Sequence, residues 1–209
     1  YLDWKEKFGL EIYEGLGTTE MMFVFISAAV TKKVKPGPIG TACPGYDVRV
    51  VNESFEQVKP GEVGKMIVRG PTGTIYWKDN DKQKSAVRDG WCLAGDVVTM
   101  DEDGYVQFLS REDDLIKSSG YRIGPEEIEE ALVMHPSVAD AGVVGVPDPV
   151  IGQKTKAFVA LKPGVKPTEE LKKELVEHCK GKIAAYKLPR ELEFIDAMPR
   201  TAVGKLLRR

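Results

Sequence analysis

The stretch SREDDLIKSSGYRIGPEEIE, residues 110–129, lies where one sequence pattern gives way to another. Before it, short alternating runs such as Tyr46–Val51, Gly64–Val68 and Tyr105–Leu109 are separated by glycine-containing turns, which is typical of β-strands. After it, Pro125 and acidic neighbours open a segment with apolar residues at helical spacing. The sequence therefore predicts two unlike domains that meet within this stretch.

The two predicted domains differ in fold class. We expect a β-rich part up to about residue 111 and a small α+β domain from about residue 113. In the second domain a further helix is expected to begin at Thr168, because its hydroxyl suits a helix N-cap. Leu171 and Leu175 follow at helical spacing. The whole chain is thus predicted to be a multidomain α/β protein.

Composition excludes several classes of protein. The 209 residues carry a net charge of −2, and the basic residues are scattered, so no nucleic-acid partner is predicted. The longest apolar run, Met21–Ala29, is too short for a membrane span, which needs ~20 residues. Three cysteines without CxxC spacing favour neither a disulfide framework nor a zinc site, and a reduced, cytoplasmic setting is expected (Cys43, Cys92 and Cys179).

The chain opens with YLDWKEKFGL, a pattern typical of an amphipathic helix, and it has no initiating methionine. We therefore expect the sequence to be a piece of a larger protein.

Two stretches in the first domain suggest nucleotide chemistry. EGLGTTE, Glu14–Glu20, combines glycines whose backbone N–H groups suit phosphate with hydroxyls and a carboxylate that suit Mg²⁺. DGWCLAGD, Asp89–Asp96, ends in a carboxylate that could accept both hydroxyls of a ribose. An ordinary turn is the alternative interpretation of each stretch.

Two further stretches carry unusual charge. The junction gathers charges of both signs around Ser118–Gly120, whereas a charged linker is normally only solvated (Arg111, Asp113, Asp114, Lys117 and Arg122). The end of the chain, PRTAVGKLLRR, places Lys205 directly after a glycine. Taken alone, this segment is also consistent with a solvated basic tail.

Four motifs in this order, GLGTTE, GWCLAGD, SREDDLIKSSGYRIGPEEIE and PRTAVGK, resemble the later motifs of the adenylate-forming (AMP-binding) acyl-CoA synthetase superfamily. The resemblance covers essentially the whole chain. GTTEMMFVFIS, VRGPTGTIYW and VRDGWCLAGD resemble benzoate- and 2-aminobenzoate-CoA ligases. SSGYRIGPEEIEEALVMHPSV, GVPDPVIGQKTKAFVAL and YKLPRELEFI also resemble medium-chain acyl-CoA synthetases.

The resemblance implies a fold and a reaction. Residues 1–111 would be the C-terminal portion of an AMP-binding domain with a β-rich, distorted-barrel subdomain. Residues 112–209 would be a small mobile domain with a hinge at 111–114, where Asp113 matches the pivot. The superfamily joins a carboxylate to ATP, giving an acyl-adenylate and pyrophosphate, and the CoA thiol then displaces AMP.

The resemblance also implies roles for individual residues. Glu20 matches the Mg²⁺ carboxylate, and Asp96 and Arg111 match ribose contacts. Lys205 matches the catalytic lysine of adenylation, whose ammonium bridges the acid and the nucleotide phosphate. The other nucleotide contacts would be Glu14, Gly15, Leu16, Gly17, Thr18, Thr19 and Arg122. CoA would contact Ser119, Gly120, Tyr121, Lys180 and Leu188-Pro189-Arg190.

Three departures from the superfamily pattern qualify these roles. Leu16 stands where many members have an aromatic residue on adenine, and Ile151 stands where the medium-chain group often has arginine. The phosphate loop with its own lysine and most of the acyl pocket are absent. We therefore expect this chain to need the missing N-terminal part of the same enzyme and to be inactive alone.

The expected function is ATP-dependent acid–CoA ligation that uses ATP, Mg²⁺ and coenzyme A, on benzoate-type aromatic acids. Three alternatives stay open: a medium-chain fatty acyl-CoA synthetase, an adenylation domain that serves a carrier protein, and a non-catalytic nucleotide- or CoA-binding module. A homodimer also stays open.

Overall fold

The computed structural model describes residues 1–202 and 204–208. The chain forms two compact units, Tyr1–Glu112 and Asp113–Arg209. The sequence places the domain boundary after residue 111, beside this division. Each unit has its own apolar core, and each is described by itself below.

The first unit begins with helix α1 (Leu2–Phe8), which ends at Gly9. A small antiparallel sheet follows, and its strands are β1 (Gly15–Gly17), β2 (Val24–Ser27) and β3 (Thr41–Ala42). The apolar run within residues 20–29 is too short for periodicity to distinguish strand from helix, and the structure shows a turn followed by β2. Met21, Phe25 and Ile26 are buried, because they belong to the core beneath the larger sheet.

The larger sheet of the first unit has five antiparallel strands and one short helix. In chain order these are β4 (Asp47–Val51), β5 (Gly64–Arg69), α2 (Asn80–Ala86), β6 (Val87–Arg88), β7 (Trp91–Met100) and β8 (Val106–Arg111). The strand order is β4-β5-β7, and β6 and β8 both pair with β7. In the described part of the chain, strands β4 and β8 do not pair with each other. The sheet is therefore open and does not close into the predicted distorted barrel.

Helix α2 interrupts the region that the sequence predicts as β throughout. It buries no side chain, so it has none of the apolar periodicity from which a helix is predicted. The Asp79 side chain caps it by accepting the Lys82 backbone N–H at 3.0 Å. Gln83 accepts the Tyr76 backbone N–H at 2.9 Å, which fixes the preceding loop.

The second unit is a five-stranded sheet with helices on it. Its elements are β9 (Ile116–Ser118), β10 (Tyr121–Ile123), α3 (Pro125–Val133), β11 (Val138–Asp148), β12 (Gly152–Leu161), α4 (Glu169–Cys179), a 3₁₀ turn (Ala185–Lys187) and β13 (Glu191–Phe194). The strand order is β10-β9-β12-β11, and β13 joins β12 in parallel. The predicted helix starts at Pro125 and at the Thr168 cap are confirmed, and the Thr168 hydroxyl accepts the Leu171 N–H at 3.1 Å.

The core of the second unit lies between the two helices and the sheet. Ile128 and Leu132 of α3 and Leu175 of α4 are fully buried against Val143 and Val159 of the central strands. Among residues 1–202 and 204–208, no helix has the length and apolar character to cross a bilayer.

Candidate functional site

The glycine-rich motif of the first unit is built as a strand and a turn. Gly15–Gly17 form β1, which pairs with β2, so the expected loop begins only after Gly17. The Thr18 hydroxyl accepts the Met21 N–H at 3.3 Å and thereby closes the turn that carries Glu20. The motif thus presents its hydroxyls and its carboxylate from a defined turn.

The Glu20 carboxylate receives a hydrogen bond from the Tyr76 phenol. Burial raises the pKa of Glu20, but hydrogen bonds from Tyr76, from its own backbone amide and from Thr18 outweigh burial and lower the pKa below its ordinary value. The same bond raises the pKa of Tyr76 to about 12, so the phenol keeps its proton. Glu20 is therefore ionised and oriented by a neutral donor.

A cavity of about 130 Å³ in the first unit adjoins Glu20 and Tyr76. Met21, Val87 and Cys92 supply apolar lining, and burial raises the pKa of the Cys92 thiol to about 11. The thiol therefore stays protonated at neutral pH and is not a thiolate nucleophile.

Asp96 is the buried carboxylate of the first unit, with 3% of its surface exposed. It lies inside β7 and not in a turn, because β7 and β8 pair Asp96 with Arg111. Arg111 Nη1 donates to Asp96 Oδ1 at 2.7 Å and to the Ala94 carbonyl at 2.9 Å. The second oxygen, Oδ2, is buried without a hydrogen-bond partner among the described residues.

Gly95 makes this pairing sterically possible. Its φ is +71°, and a Cβ there would lie 2.9 Å from Arg111 Nη2. Burial raises the pKa of Asp96, and the charge and hydrogen bond of Arg111 oppose that shift only in part. The pair therefore holds a carboxylate with one oxygen left for an external donor.

In the second unit, Ser119 and Gly120 form the tip of the β9–β10 hairpin. Their φ values of +50° and +81° are those of a two-residue turn of type I′. Nothing lies within 4 Å of the position that a Cβ of Gly120 would occupy, so the tip is open. The Ser119 N–H donates to the Ile151 carbonyl at 2.9 Å, which anchors the hairpin.

The remaining CoA candidates differ in their exposure. Pro189 is buried and Leu188 packs against the apolar core, so neither presents a surface to CoA, whereas the others are exposed. Tyr121 stacks on Tyr186, with ring centroids 4.2 Å apart and an interplanar angle of 17°. Lys180 is exposed and pairs with Glu177 at 2.5 Å. Arg122 and Arg190 are also exposed. The structure thus brings Tyr121 and Tyr186 together and leaves the three cations on the surface.

Lys205 lies in a closed turn rather than on an unconstrained tail. The Thr201 N–H donates to the Lys205 carbonyl at 2.8 Å, and the Lys205 N–H donates to the Thr201 hydroxyl at 3.0 Å. Arg200 and Leu206 form an antiparallel bridge, and the Leu207 N–H donates to the Pro199 carbonyl at 2.9 Å. The lysine is exposed at the end of this turn.

Sequence reasoning missed two residues of these arrangements, Tyr76 and Tyr186. Tyr76 belongs to VRGPTGTIYW, a stretch whose sequence signal is its resemblance to benzoate-CoA ligases. No feature of the sequence links it to Glu20, 56 residues away.

Comparison with known proteins identifies two family models in this chain. Residues 2–77 match the AMP-binding enzyme model, and residues 127–205 match the AMP-binding enzyme C-terminal domain. The mitochondrial acyl-coenzyme A synthetase ACSM3 of Mus musculus is 43% identical over 98% of this chain and 37% of the relative. The 4-hydroxybutyrate–CoA ligase 1 of Metallosphaera sedula is 42% identical over 98% of this chain and 37% of the relative.

Solved structures give the same pattern. The anthranilate CoA ligase AuaEII in complex with anthranoyl-AMP matches with a TM-score of 0.87 and 37% identity, over 98% of this chain and 40% of that one. A benzoate CoA ligase from Burkholderia xenovorans matches with a TM-score of 0.83 and 36% identity, over 98% of this chain and 41% of that one. The chain therefore spans roughly two fifths of the length of these proteins.

Proposed function

Because this chain belongs to the AMP-binding enzyme family, we propose that it is the C-terminal part of an ATP-dependent acid–CoA ligase. The proposed reaction first joins the acid carboxylate to the α-phosphate of ATP with loss of pyrophosphate. The CoA thiol then attacks the acyl carbon, and AMP leaves.

The observation that carries the proposal is the Asp96–Arg111 pair. A buried carboxylate with one oxygen lacking a partner among the described residues costs free energy unless a ligand supplies a donor. The vicinal hydroxyls of a ribose are such donors. Oδ2 of Asp96 is therefore suited to accept from the nucleotide sugar, while Arg111 donates to Oδ1 of the same carboxylate.

The Glu20 carboxylate fits a magnesium ion in part. It is ionised, and the described residues contain no cluster of three or more metal-ligating side chains. Mg²⁺ would then take its other ligands from phosphate and water, as it usually does in phosphate sites. When bound, the ion would neutralise phosphate charge, and Tyr76 would keep Glu20 oriented towards it.

We assign adenylation to Lys205. A positive charge beside the reacting phosphate stabilises the charge that develops in the transition state. The hydrogen bonds between Thr201 and Lys205 support this role, because they hold the backbone of the residue that carries the ammonium. Rotation of residues 112–209 about Asp113 would exchange Lys205 for Gly120 between the two half-reactions.

The proposed CoA face of the second unit is the open tip at Ser119–Gly120. Gly120 has space where a Cβ would stand, so a thiol arm could pass close to the backbone there. Tyr121 and Tyr186 form an aromatic pair beside it, and Arg122, Lys180 and Arg190 supply exposed charge for the phosphates.

We propose a benzoate-type aromatic acid as the substrate. The similarity to anthranilate and benzoate CoA ligases supports it. The second candidate is a non-aromatic acyl acid, and the similarity to ACSM3 and to 4-hydroxybutyrate–CoA ligase 1 supports that one. Met21 lines the cavity beside Glu20 and also belongs, with Phe25 and Ile26, to the apolar core of the first unit.

The setting of the protein is also a proposal. We place it in the cytoplasm, because its three cysteines are unpaired thiols. It would act together with the N-terminal part of the same enzyme and would be inactive alone. Light scattering of the complete protein would decide whether it forms a homodimer.

A screen of pyrophosphate release by the complete enzyme tests the proposal against benzoate, 2-aminobenzoate and C4–C10 fatty acids. Lys205→Ala should abolish adenylation and retain thioester formation from supplied acyl-adenylate. Equal loss of both half-reactions would refute the role of Lys205. Pyrophosphate release by this chain alone at enzymatic rates would refute the proposed dependence on the missing part.

A further inference from the structure

Arg208 lies three residues after Lys205 and contacts three carboxylates of the second unit, those of Asp114, Glu126 and Glu129. Its Nη2 contacts Glu129 Oε2 at 2.7 Å, and its Nε contacts Glu129 Oε1 at 3.2 Å. Its Nη1 contacts Asp114 Oδ2 at 3.2 Å, and Glu126 Oε1 lies 3.4 Å from Nη2. Only 16% of the Arg208 side chain is exposed, so this cluster is poorly screened by water.

The two closest partners of Arg208 connect it to the sheet and to the start of the second unit. Glu129 belongs to α3 and accepts the Val143 N–H of β11 at 2.8 Å. Asp114 directly follows Asp113, the residue that we propose as the hinge. A two-pronged guanidinium–carboxylate pair restricts orientation as well as distance, which a lysine cannot reproduce.

The residues that precede Lys205 in the turn have an ionic contact of their own. Arg200 Nη2 pairs with Asp140 Oδ2 at 2.5 Å, and Arg200 Nη1 donates to the Gly204 carbonyl at 2.8 Å. The two arginines therefore hold the residues on either side of Lys205 to the body of the second unit.

Apolar packing beneath the turn is incomplete. Leu206 and Leu207 border a cavity of about 310 Å³, which Val144, Phe158 and Met198 also line. A turn above such a space lacks the dense contacts that immobilise a packed core. The ionic contacts therefore add to the backbone hydrogen bonds in holding the turn to the second unit.

We propose that Arg208 is a positioning residue for adenylation, which sets the place of the Lys205 ammonium through Glu129 and Asp114. This inference rests on the proposed role of Lys205. Arg208 links the outgoing limb of the turn to α3 and to the start of the second unit. The turn and the proposed hinge then move as one body when the second unit rotates.

The test is Arg208→Lys in the complete protein that carries this chain, with the two half-reactions measured separately. Adenylation is followed by acid-dependent exchange of pyrophosphate into ATP, and thioester formation is followed from supplied acyl-adenylate and CoA. A displacement of a catalytic group by ~1 Å can cost ~100-fold in rate. We expect the adenylation kcat to fall about 10- to 100-fold. The KM values for ATP and acid and the thioester step should stay within about twofold, because in this proposal Arg208 acts only through the position of Lys205.

Two further variants keep the test decisive. Glu129→Gln removes the charge that Arg208 faces but keeps an acceptor for the Val143 N–H, and it should lower adenylation selectively as well. Lys156→Met removes the Lys156–Glu193 pair, 2.7 Å long and remote in sequence from the turn, and should leave both half-reactions unchanged. If Arg208→Lys fails to melt cooperatively, Glu129→Gln carries the test.

The outcomes separate the two ideas. If the wild type neither exchanges pyrophosphate into ATP nor forms the thioester, the proposed function itself is wrong. If Lys205→Ala still adenylates at the wild-type rate, the role of Lys205 is wrong, and the positioning role of Arg208 is wrong with it. If Lys205→Ala loses adenylation while Arg208→Lys and Glu129→Gln keep the wild-type kcat, only the positioning role is wrong. A parallel loss of both half-reactions together with a lower melting temperature would also overturn the positioning role, because it would show general destabilisation.

Discussion

Replacing Asp96 by asparagine preserves the shape of the side chain and removes its charge. In our proposal the carboxylate accepts hydrogen bonds from the ribose hydroxyls, while Arg111 occupies the other oxygen at 2.7 Å. Hydrogen bonds to a charged group contribute about 1.5–3 kcal/mol each. Asparagine retains one acceptor oxygen, so we expect a loss of roughly 2–4 kcal/mol, which is about 30- to 1000-fold in the Kd for AMP.

The folding stability of Asp96→Asn should not fall in parallel with its affinity for AMP. Burial raises the pKa of Asp96, which means that the fold disfavours its ionised form. The lost ion pair contributes little, because half of the Arg111 side chain is exposed and such pairs contribute about 0–1 kcal/mol. The free energy of unfolding of Asp96→Asn should therefore stay within about 1 kcal/mol of the wild type or rise.

Calorimetric titration with two nucleotides provides the assay. The wild type and Asp96→Asn, each in the complete protein, are titrated with AMP and with 2′,3′-dideoxy-AMP. The mutation should weaken AMP binding. It should leave binding of the dideoxy nucleotide nearly unchanged, because that nucleotide lacks the two ribose hydroxyls that donate to Asp96. Asp47→Asn is the matched control, since Asp47 bridges Arg49 and Arg69 at 3.1 and 3.0 Å on the same sheet. Equal losses for both nucleotides would refute the assignment of Asp96 to the ribose.

Three further predictions concern individual side chains. Tyr76→Phe removes a donor that lowers the pKa of Glu20, so the acid limb of the adenylation pH profile should move to higher pH. An unmoved limb would contradict the orienting role of Tyr76. Gly95→Ala places a Cβ on a backbone with φ +71° and against Arg111, so it should destabilise the fold by about 1–3 kcal/mol in urea unfolding and weaken AMP binding. Wild-type values for both measurements would show that the close approach is tolerated. Burial raises the pKa of Glu126 to about 7, so the native state binds a proton that the unfolded state has already released above its ordinary pKa of 4.5. The free energy of unfolding should thus fall by up to a few kcal/mol as the pH rises from about 4.5 to about 7, and then level off. Glu126→Gln should abolish this pH dependence, which urea titrations at pH 5 and 8 would measure. A pH dependence that persists in Glu126→Gln would rule out Glu126 as its source.

Much of the fold follows from contacts between near neighbours in the chain. Pro125 and Thr168 start helices because their own backbone and side-chain chemistry suits an N-terminus, and the structure contains both helices. The family was identified from motifs, since glycines, hydroxyls and carboxylates at fixed spacings are read directly from the sequence. The open sheet and helix α2 were not predicted, because strand closure depends on distant pairing and α2 has no buried face.

The proposed site residues divide in the same way. The sequence by itself determined that Glu20, Asp96 and Lys205 are present in the order and spacing of an adenylate-forming enzyme. Only the tertiary structure decided which side chains face them. It brings Tyr76 to Glu20 across 56 residues and Arg208 to Asp114 across 94 residues. Hydrogen bonds and ion pairs act over a few ångströms of space regardless of sequence separation, so the partners of a residue are known only once the chain is folded.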